Sequence, residues 1–355
     1  MSIFIIAEAG VNHNGNISLA LELVEKAAEA GADAVKFQTF SADEVVSENA
    51  PKAEYQIKRS AKPESHIEML KNLQLSSHQH IELIKRCREK KIKFLSSPFD
   101  IKSLFFLTNE LNLDTIKIPS GEITNGPLLL AAGKGGTDII MSTGMSTIHE
   151  IETALGVLSF GFLNIKEKPS LDGFRKAGSS AEGLRVLKRK VTLLQCTTEY
   201  PAPISEINLS AMTTIRNTFG LPVGISDHSV GITVPIAAAA LGAVAIEKHF
   251  TLDRELPGPD HHSSIEPYKL EKMVKSIREV EMALGDGKKE PMMSEIKNKN
   301  VVRKSLVAAK PIKKGEVFSQ KLISVKRPGT GTSPMDYWEL MGERAKKDFS
   351  IDELL

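Results

Sequence analysis

The sequence has few cysteines, few aromatic residues and almost no net charge. Two cysteines in 355 residues, Cys87 and Cys196, cannot build a disulfide scaffold, and they lie too far apart for a C-x-x-C motif. A reducing cytoplasm is the expected compartment. A net charge of +2 supplies no polybasic field, which argues against nucleic acid or an anionic membrane as partner. Long hydrophobic runs are scarce too. The start, MSIFIIAEAG, lacks a basic region and meets acidic Glu8 early, so no signal peptide is expected. The uncharged run 229–246 approaches membrane-spanning length, but it is rich in Ala and Gly and carries Pro235. It reads as a buried helix, a turn and a buried strand. What remains is a globular composition, 41% hydrophobic and 25% charged, too apolar for disorder.

At roughly 100–200 residues per domain, the length predicts two domains, or one large domain with an appendage. Short β-branched runs alternate with longer helical patterns. The strand-like runs are 4–9, 33–38, 93–98, 115–120, 138–144, 191–196, 221–226 and 243–249. Each is followed by a helical pattern, from SLALELVEKAAEAG (18–31) to the last over 268–284. This alternation implies parallel strands with crossover helices. The count fits an α/β fold of the (β/α)₈ barrel type over residues 1–285, with an open doubly wound sheet as the competitor. Residues 286–300 read as a linker. From 301 to 355 the segments shorten, and SLVAA and LISVKR look like strands of a small second domain. The segment 162–190 is basic and rich in Gly and Ser, and reads as a mobile excursion between strands five and six.

In such a barrel, working groups come from the C-terminal ends of the strands. Here those ends carry Glu8, Lys36, Ser97, Lys117, Ser120, Glu122, Ser142, Thr198, Tyr200, Ser226, His228, Glu247 and His249, among others. Packing alone would not need so many. His228 and His249, after adjacent strands, could share one ion; imidazole with oxygen ligands suits a divalent metal. Hydrogen bonding to loops is the alternative for both. Lys36 and Lys117 sit inside otherwise apolar strands. They could hold phosphate or carboxylate as point charges, or one could form a Schiff base. With serines at 97, 120, 142 and 226 and glycines at 121 and 144, an anion cradle is the fuller account. Glu8, Glu122 and Asp260 could act as acid or base or hold sugar hydroxyls, and equally could be caps or ion-pair partners.

These motifs resemble the bacterial sialic acid synthases. The matching stretches include IAEAGVNHNG (6–15), AVKFQTF (34–40), APKAEYQIK (50–58), KIPSGEITN (117–125), MSTGM (141–145), CTTEYPAP (196–203), SDHSVG (226–231), IEKHFTLD (246–253), GPDH (258–261) and KRPGTG (326–331). The resemblance implies a TIM barrel followed by a small antifreeze-like (SAF) domain. It also implies a domain-swapped homodimer. The implied reaction condenses phosphoenolpyruvate with an N-acetylmannosamine-type sugar and releases phosphate. It needs a divalent metal, Mn²⁺ first, with Mg²⁺ or Co²⁺ possible. Carried over by motif, His228 and His249 would ligate the metal. Lys36, Lys117, Ser97, Ser120, Ser142, Thr198 and Ser226 would hold phosphoenolpyruvate. Glu122, Tyr200 and Asp260 would contact the sugar, Arg327 would reach in from the other subunit, and Glu8 would be the acid/base.

The chain departs from the family pattern in places. The segment 162–190 is longer, Gln195 and Thr198 replace residues common in relatives, and His262 doubles His261. IPSGEITN and CTTEYPAP look closest to legionaminic acid synthases, whose sugar is 2,4-diacetamido-2,4,6-trideoxymannose. APKAEYQIK and GPDH are equally similar to N-acetylneuraminate synthases. A pseudaminic acid synthase, a Schiff-base aldolase and a non-catalytic carbohydrate-binding protein are the remaining readings.

Overall fold

The apolar alternation of the strand-like runs is realised as a closed sheet. A computed structural model describes residues 2–47, 50–52 and 65–355; residues 53–58 of the APKAEYQIK motif lie outside them. The chain divides into two compact units, residues 1–285 and 286–355. In the first, β1 (Phe4–Gly10), β2 (Ala34–Thr39), β3 (Lys93–Pro98), β4 (Thr115–Ile118), β5 (Asp138–Ser142), β6 (Val191–Cys196), β7 (Val223–Asp227) and β8 (Ala245–His249) form one sheet. Its order is β3-β2-β1-β8-β7-β6-β5-β4, with parallel ladders, and β3 packs beside β4 to close a TIM barrel. Helices follow the strands, and the sheet–helix layer carries the main core.

The two-residue period of a strand decides which side chains enter the barrel. Ile6, Ala34, Leu95, Ile140, Leu194 and Ala245 form a separate apolar cluster that plugs its interior. Two residues further along the same strands stand Glu8, Lys36, Ser97, Ser142, Cys196 and Glu247, all buried. Lys117 and Ser226 add to this layer from β4 and β7. One polar tier therefore rests on an apolar floor. A register shift between Glu8 and Gly10 bends the end of β1, and Gly10 takes φ +53° there. A Cβ on Gly10 would stand 3.2 Å from Glu8 Oε1 and 3.6 Å from the His249 ring.

One expectation is corrected. The segment 162–190 is not a loop excursion: it contains helices Leu171–Ser179 and Ala181–Lys190, capped by Ser170 and Ser180. Its glycines serve packing rather than freedom. A Cβ on Gly183 would fall 1.9 Å from the Ala177 carbonyl oxygen, and one on Gly178 3.0 Å from the Gly156 Cα. Within the segment read as a linker, a helix runs over Met293–Val302. It buries no side chain, which is why no apolar period announces it. The second unit pairs β9 (Ser305–Ala308) with β10 (Ile323–Lys326) antiparallel, around a core that includes Leu306, Ile312, Phe318 and Phe349. Among the described residues, no helix is long and apolar enough to cross a membrane.

Candidate active site

The polar tier opens into a cavity of about 280 Å³ at the C-terminal ends of the strands. Lys36 Nζ lies 2.6 Å from Glu8 Oε2, 3.6 Å from Glu247 Oε2 and 3.1 Å from Ser97 Oγ. Lys117 Nζ lies 3.2 Å from Glu247 Oε1, which also accepts the Ser226 hydroxyl at 2.7 Å. Glu247 is thus the carboxylate that spaces the two ammonium groups. Burial would raise its pKa, but Lys117 and Lys36 outweigh that and hold it well below the usual range. Burial pushes Glu8 up to about 7, against the pull of Lys36. The carboxylates thus have unequal proton affinities, an arrangement that separates a permanent anion from a group able to exchange a proton.

The histidines stand on the next rim. The rings of His228 and His249 are 5.3 Å apart, and the Tyr200 ring lies 4.1 Å from His228 and 5.6 Å from His249. His228 Nδ1 is 2.7 Å from the Thr197 carbonyl oxygen, which can only accept. That bond fixes a proton on Nδ1 and leaves Nε2 as the nitrogen able to meet a cation; burial would lower the His228 pKa, but Cys196, whose Sγ is 3.8 Å from Nδ1, more than offsets this and raises it. His249 Nδ1 is buried without a hydrogen-bond partner, and burial, followed by His228, keeps the imidazole well below its ordinary pKa. The two rings could offer Nε2 of His228 and a ring nitrogen of His249 to a divalent cation. Among the described residues, no cluster of three or more His, Cys, Asp or Glu is spaced to hold one. The pair would leave most coordination positions to substrate and water.

Of the residues selected from sequence, Glu8, Lys36, Ser97, Lys117, Ser120, Thr198, Tyr200, His228, His249 and Asp260 line this one cavity. Ser120 Oγ accepts the Gly144 N–H at 3.0 Å, and the Thr198 hydroxyl is buried and unpartnered beside it. A Cβ on Gly144 would fall 2.2 Å from Thr198 Oγ1, so only glycine lets these groups converge. Burial pushes Asp260 up to about 6.

Other selected residues lie elsewhere. Ser142 Oγ is buried without a partner but does not line the cavity. Ser226 lies behind Glu247. Glu122 does not line the cavity; it accepts the Asn125 side-chain N–H at 2.7 Å, and Asn125 caps the helix Gly126–Gly135. Arg327 belongs to the second unit, where its Nε donates to the Val302 carbonyl. His261 is engaged by Thr251 and Asn14, and the His262 carbonyl accepts from Arg254. Asn12 holds the Phe250 carbonyl and Ser264. Glu247 was named among the strand-end residues but was given no role. The signal for it was its parity with His249 on β8.

The NeuB family model matches residues 23–289, and the SAF domain model matches residues 303–355. The chain belongs to the NeuB family. It is an enzyme of the nonulosonic (sialic) acid synthase type, with a C-terminal SAF domain. It is 49% identical to an N,N'-diacetyllegionaminic acid synthase of Campylobacter jejuni, over 99% of this chain and 98% of that protein. It is 42% identical to the enzyme of that name from Legionella pneumophila, over 100% and 94%. Among solved structures, an N-acetylneuraminic acid (sialic acid) synthetase from Leptospira borgpetersenii matches with TM-score 0.68 and 35% identity, over 84% of this chain and 90% of the other.

Proposed function

We propose that this synthase condenses phosphoenolpyruvate with 2,4-diacetamido-2,4,6-trideoxymannose to give N,N'-diacetyllegionaminate and phosphate. The observation that carries the reaction class is the pairing of two buried ammonium groups with two imidazoles in one cavity. Identity to two legionaminic acid synthases supports the sugar. So does the cavity wall of Phe40, Met69 and Leu70, whose apolar surface suits acetamido methyl groups. N-Acetylmannosamine, giving N-acetylneuraminate, is the second reading and rests on the Leptospira structure.

On this reading Lys36 and Lys117 bind the phosphate and carboxylate of phosphoenolpyruvate as point charges. His228 and His249 would hold a divalent cation, Mn²⁺ first, which would supply Lewis-acid polarisation of the acceptor's aldehyde. Carbon 3 of phosphoenolpyruvate attacks the aldehyde carbon, and positive charge develops at carbon 2. Water adds at carbon 2 while Glu8, paired with Lys36, takes its proton. The tetrahedral intermediate collapses with cleavage of the carbon 2–oxygen bond: its hydroxyl proton leaves with the phosphate, and the proton taken by Glu8 goes to the oxyanion formed from the aldehyde. Tyr200 and Asp260 contact the sugar. The working species is a cytoplasmic, domain-swapped homodimer in which the partner's Arg327 faces an N-acyl group.

The test is phosphate release from phosphoenolpyruvate with the diacetamido sugar, before and after EDTA and with Mn²⁺ restored. Mn²⁺-dependent release, with a product of the legionaminate mass, is expected. Release that survives EDTA, or lysine trapping by borohydride with pyruvate, would replace this mechanism with a Schiff-base aldolase.

A further inference from the structure

The layer between sheet and helices is apolar almost throughout, yet β7 and β8 place a fully buried ion pair in it. Asp227 and Lys248 are register partners. Lys248 Nζ lies 2.6 Å from Asp227 Oδ2, and neither side chain reaches solvent. Strand alternation turns these two outward, while Ser226, Glu247 and His249 turn toward the lumen. Such a pair is weak evidence for stability, because the cost of desolvating both charges offsets most of their attraction. Its placement therefore calls for another explanation.

The bonds around the pair supply one. Asp227 Oδ1 accepts the Ser229 N–H at 2.8 Å, and Lys248 Nζ also donates to the Ser229 carbonyl. Both backbone groups of Ser229 are thereby clamped to the side chains of residues 227 and 248. His228 lies between Asp227 and Ser229, and His249 follows Lys248 directly. The same turn is tied on its other side, where the His228 carbonyl accepts the Ala202 N–H at 2.9 Å.

We propose that the Asp227–Lys248 pair is a positioning device that fixes the spacing and aim of the His228 and His249 imidazoles toward a shared divalent cation. It rests on the metal reading given above. Neither residue touches the cavity, so both are positioning residues and not catalytic ones.

The experiment measures Mn²⁺ affinity of the full-length, metal-stripped protein by electron paramagnetic resonance, together with its melting temperature. Wild type is compared with Lys248→Met and with the double variant Asp227→Asn/Lys248→Met. The single variant leaves Asp227 unpaired and should melt lower. The double variant removes both charges and should recover most of that loss. Its Mn²⁺ affinity should nevertheless stay about 10–100-fold below wild type, the range for lost support of a metal ligand. Wild-type affinity in the double variant would overturn the proposal and leave a purely structural pair. If the wild type itself binds no Mn²⁺, the metal reading fails and the positioning role falls with it. Should the double variant not fold, Asp227→Asn serves. It keeps an acceptor for Ser229 and weakens the hold on Lys248, so unchanged affinity there would also refute the proposal.

Discussion

Replacing Glu247 with glutamine should expose how the two buried lysines of the cavity, Lys36 and Lys117, are held. Glu247 Oε1 is 3.2 Å from Lys117 and its other oxygen 3.6 Å from Lys36. Lys36 would keep Glu8 at 2.6 Å. Among the described residues, Glu247 is the carboxylate within ion-pair distance of Lys117, so Lys117 would lose its counter-charge while buried. Breaking a buried pair on one side costs about 3–5 kcal/mol, because a charge is left uncompensated. At about 2–4 °C per kcal/mol for a large domain, Tm should fall by roughly 6–20 °C. Inorganic phosphate or phosphoenolpyruvate supplies a replacement anion, and a ligand at 100 times its Kd returns about 2.7 kcal/mol. Thermal melts of both proteins, with and without phosphate, measure this. Phosphate should raise the variant's Tm by more than the wild type's. A variant that melts with the wild type, or equal phosphate shifts in both, would refute the electrostatic account.

Gly144→Ala should raise KM for phosphoenolpyruvate at least about tenfold with an unchanged circular dichroism spectrum, since the new methyl lands on Thr198 and Ser120; an unaltered KM would show that these hydroxyls do not face the anion. Burial holds both His13 and His261 down to about 4, against 6.5 for a free imidazole. Between those pH values the unfolded chain binds more protons, so stability rises with pH. Going from pH 7 to 5 should cost on the order of 2 kcal/mol per histidine, read from urea melts. Gly183→Ala should destabilise the 171–190 helix pair, because the added carbon meets the Ala177 carbonyl, and proteolysis within 162–190 should speed up.

The barrel was legible because its signals are local. Each strand-like run from 4–9 to 243–249 lies within about two residues of an observed strand. The polar strand ends led directly to Lys36, Lys117, His228 and His249. The misreadings arose where tertiary contact overrides composition. Gly173, Gly178 and Gly183 look like breakers in isolation, but each gives passage to a neighbouring backbone or side chain in the helical layer. The helix Met293–Val302 has no buried face, so periodicity had nothing to mark. Glu247 sits between Ile246 and Lys248, and only strand register shows that it faces the lysines while Lys248 faces away.

The central claim is that this cavity joins phosphoenolpyruvate to a diacetamido sugar. The most direct measurement offers the Mn²⁺-loaded enzyme equal concentrations of 2,4-diacetamido-2,4,6-trideoxymannose and N-acetylmannosamine, follows phosphate release, and identifies each acid by mass. The account predicts that N,N'-diacetyllegionaminate dominates. Dominant N-acetylneuraminate would contradict the proposed acceptor, and no phosphate release with either sugar would contradict the reaction itself.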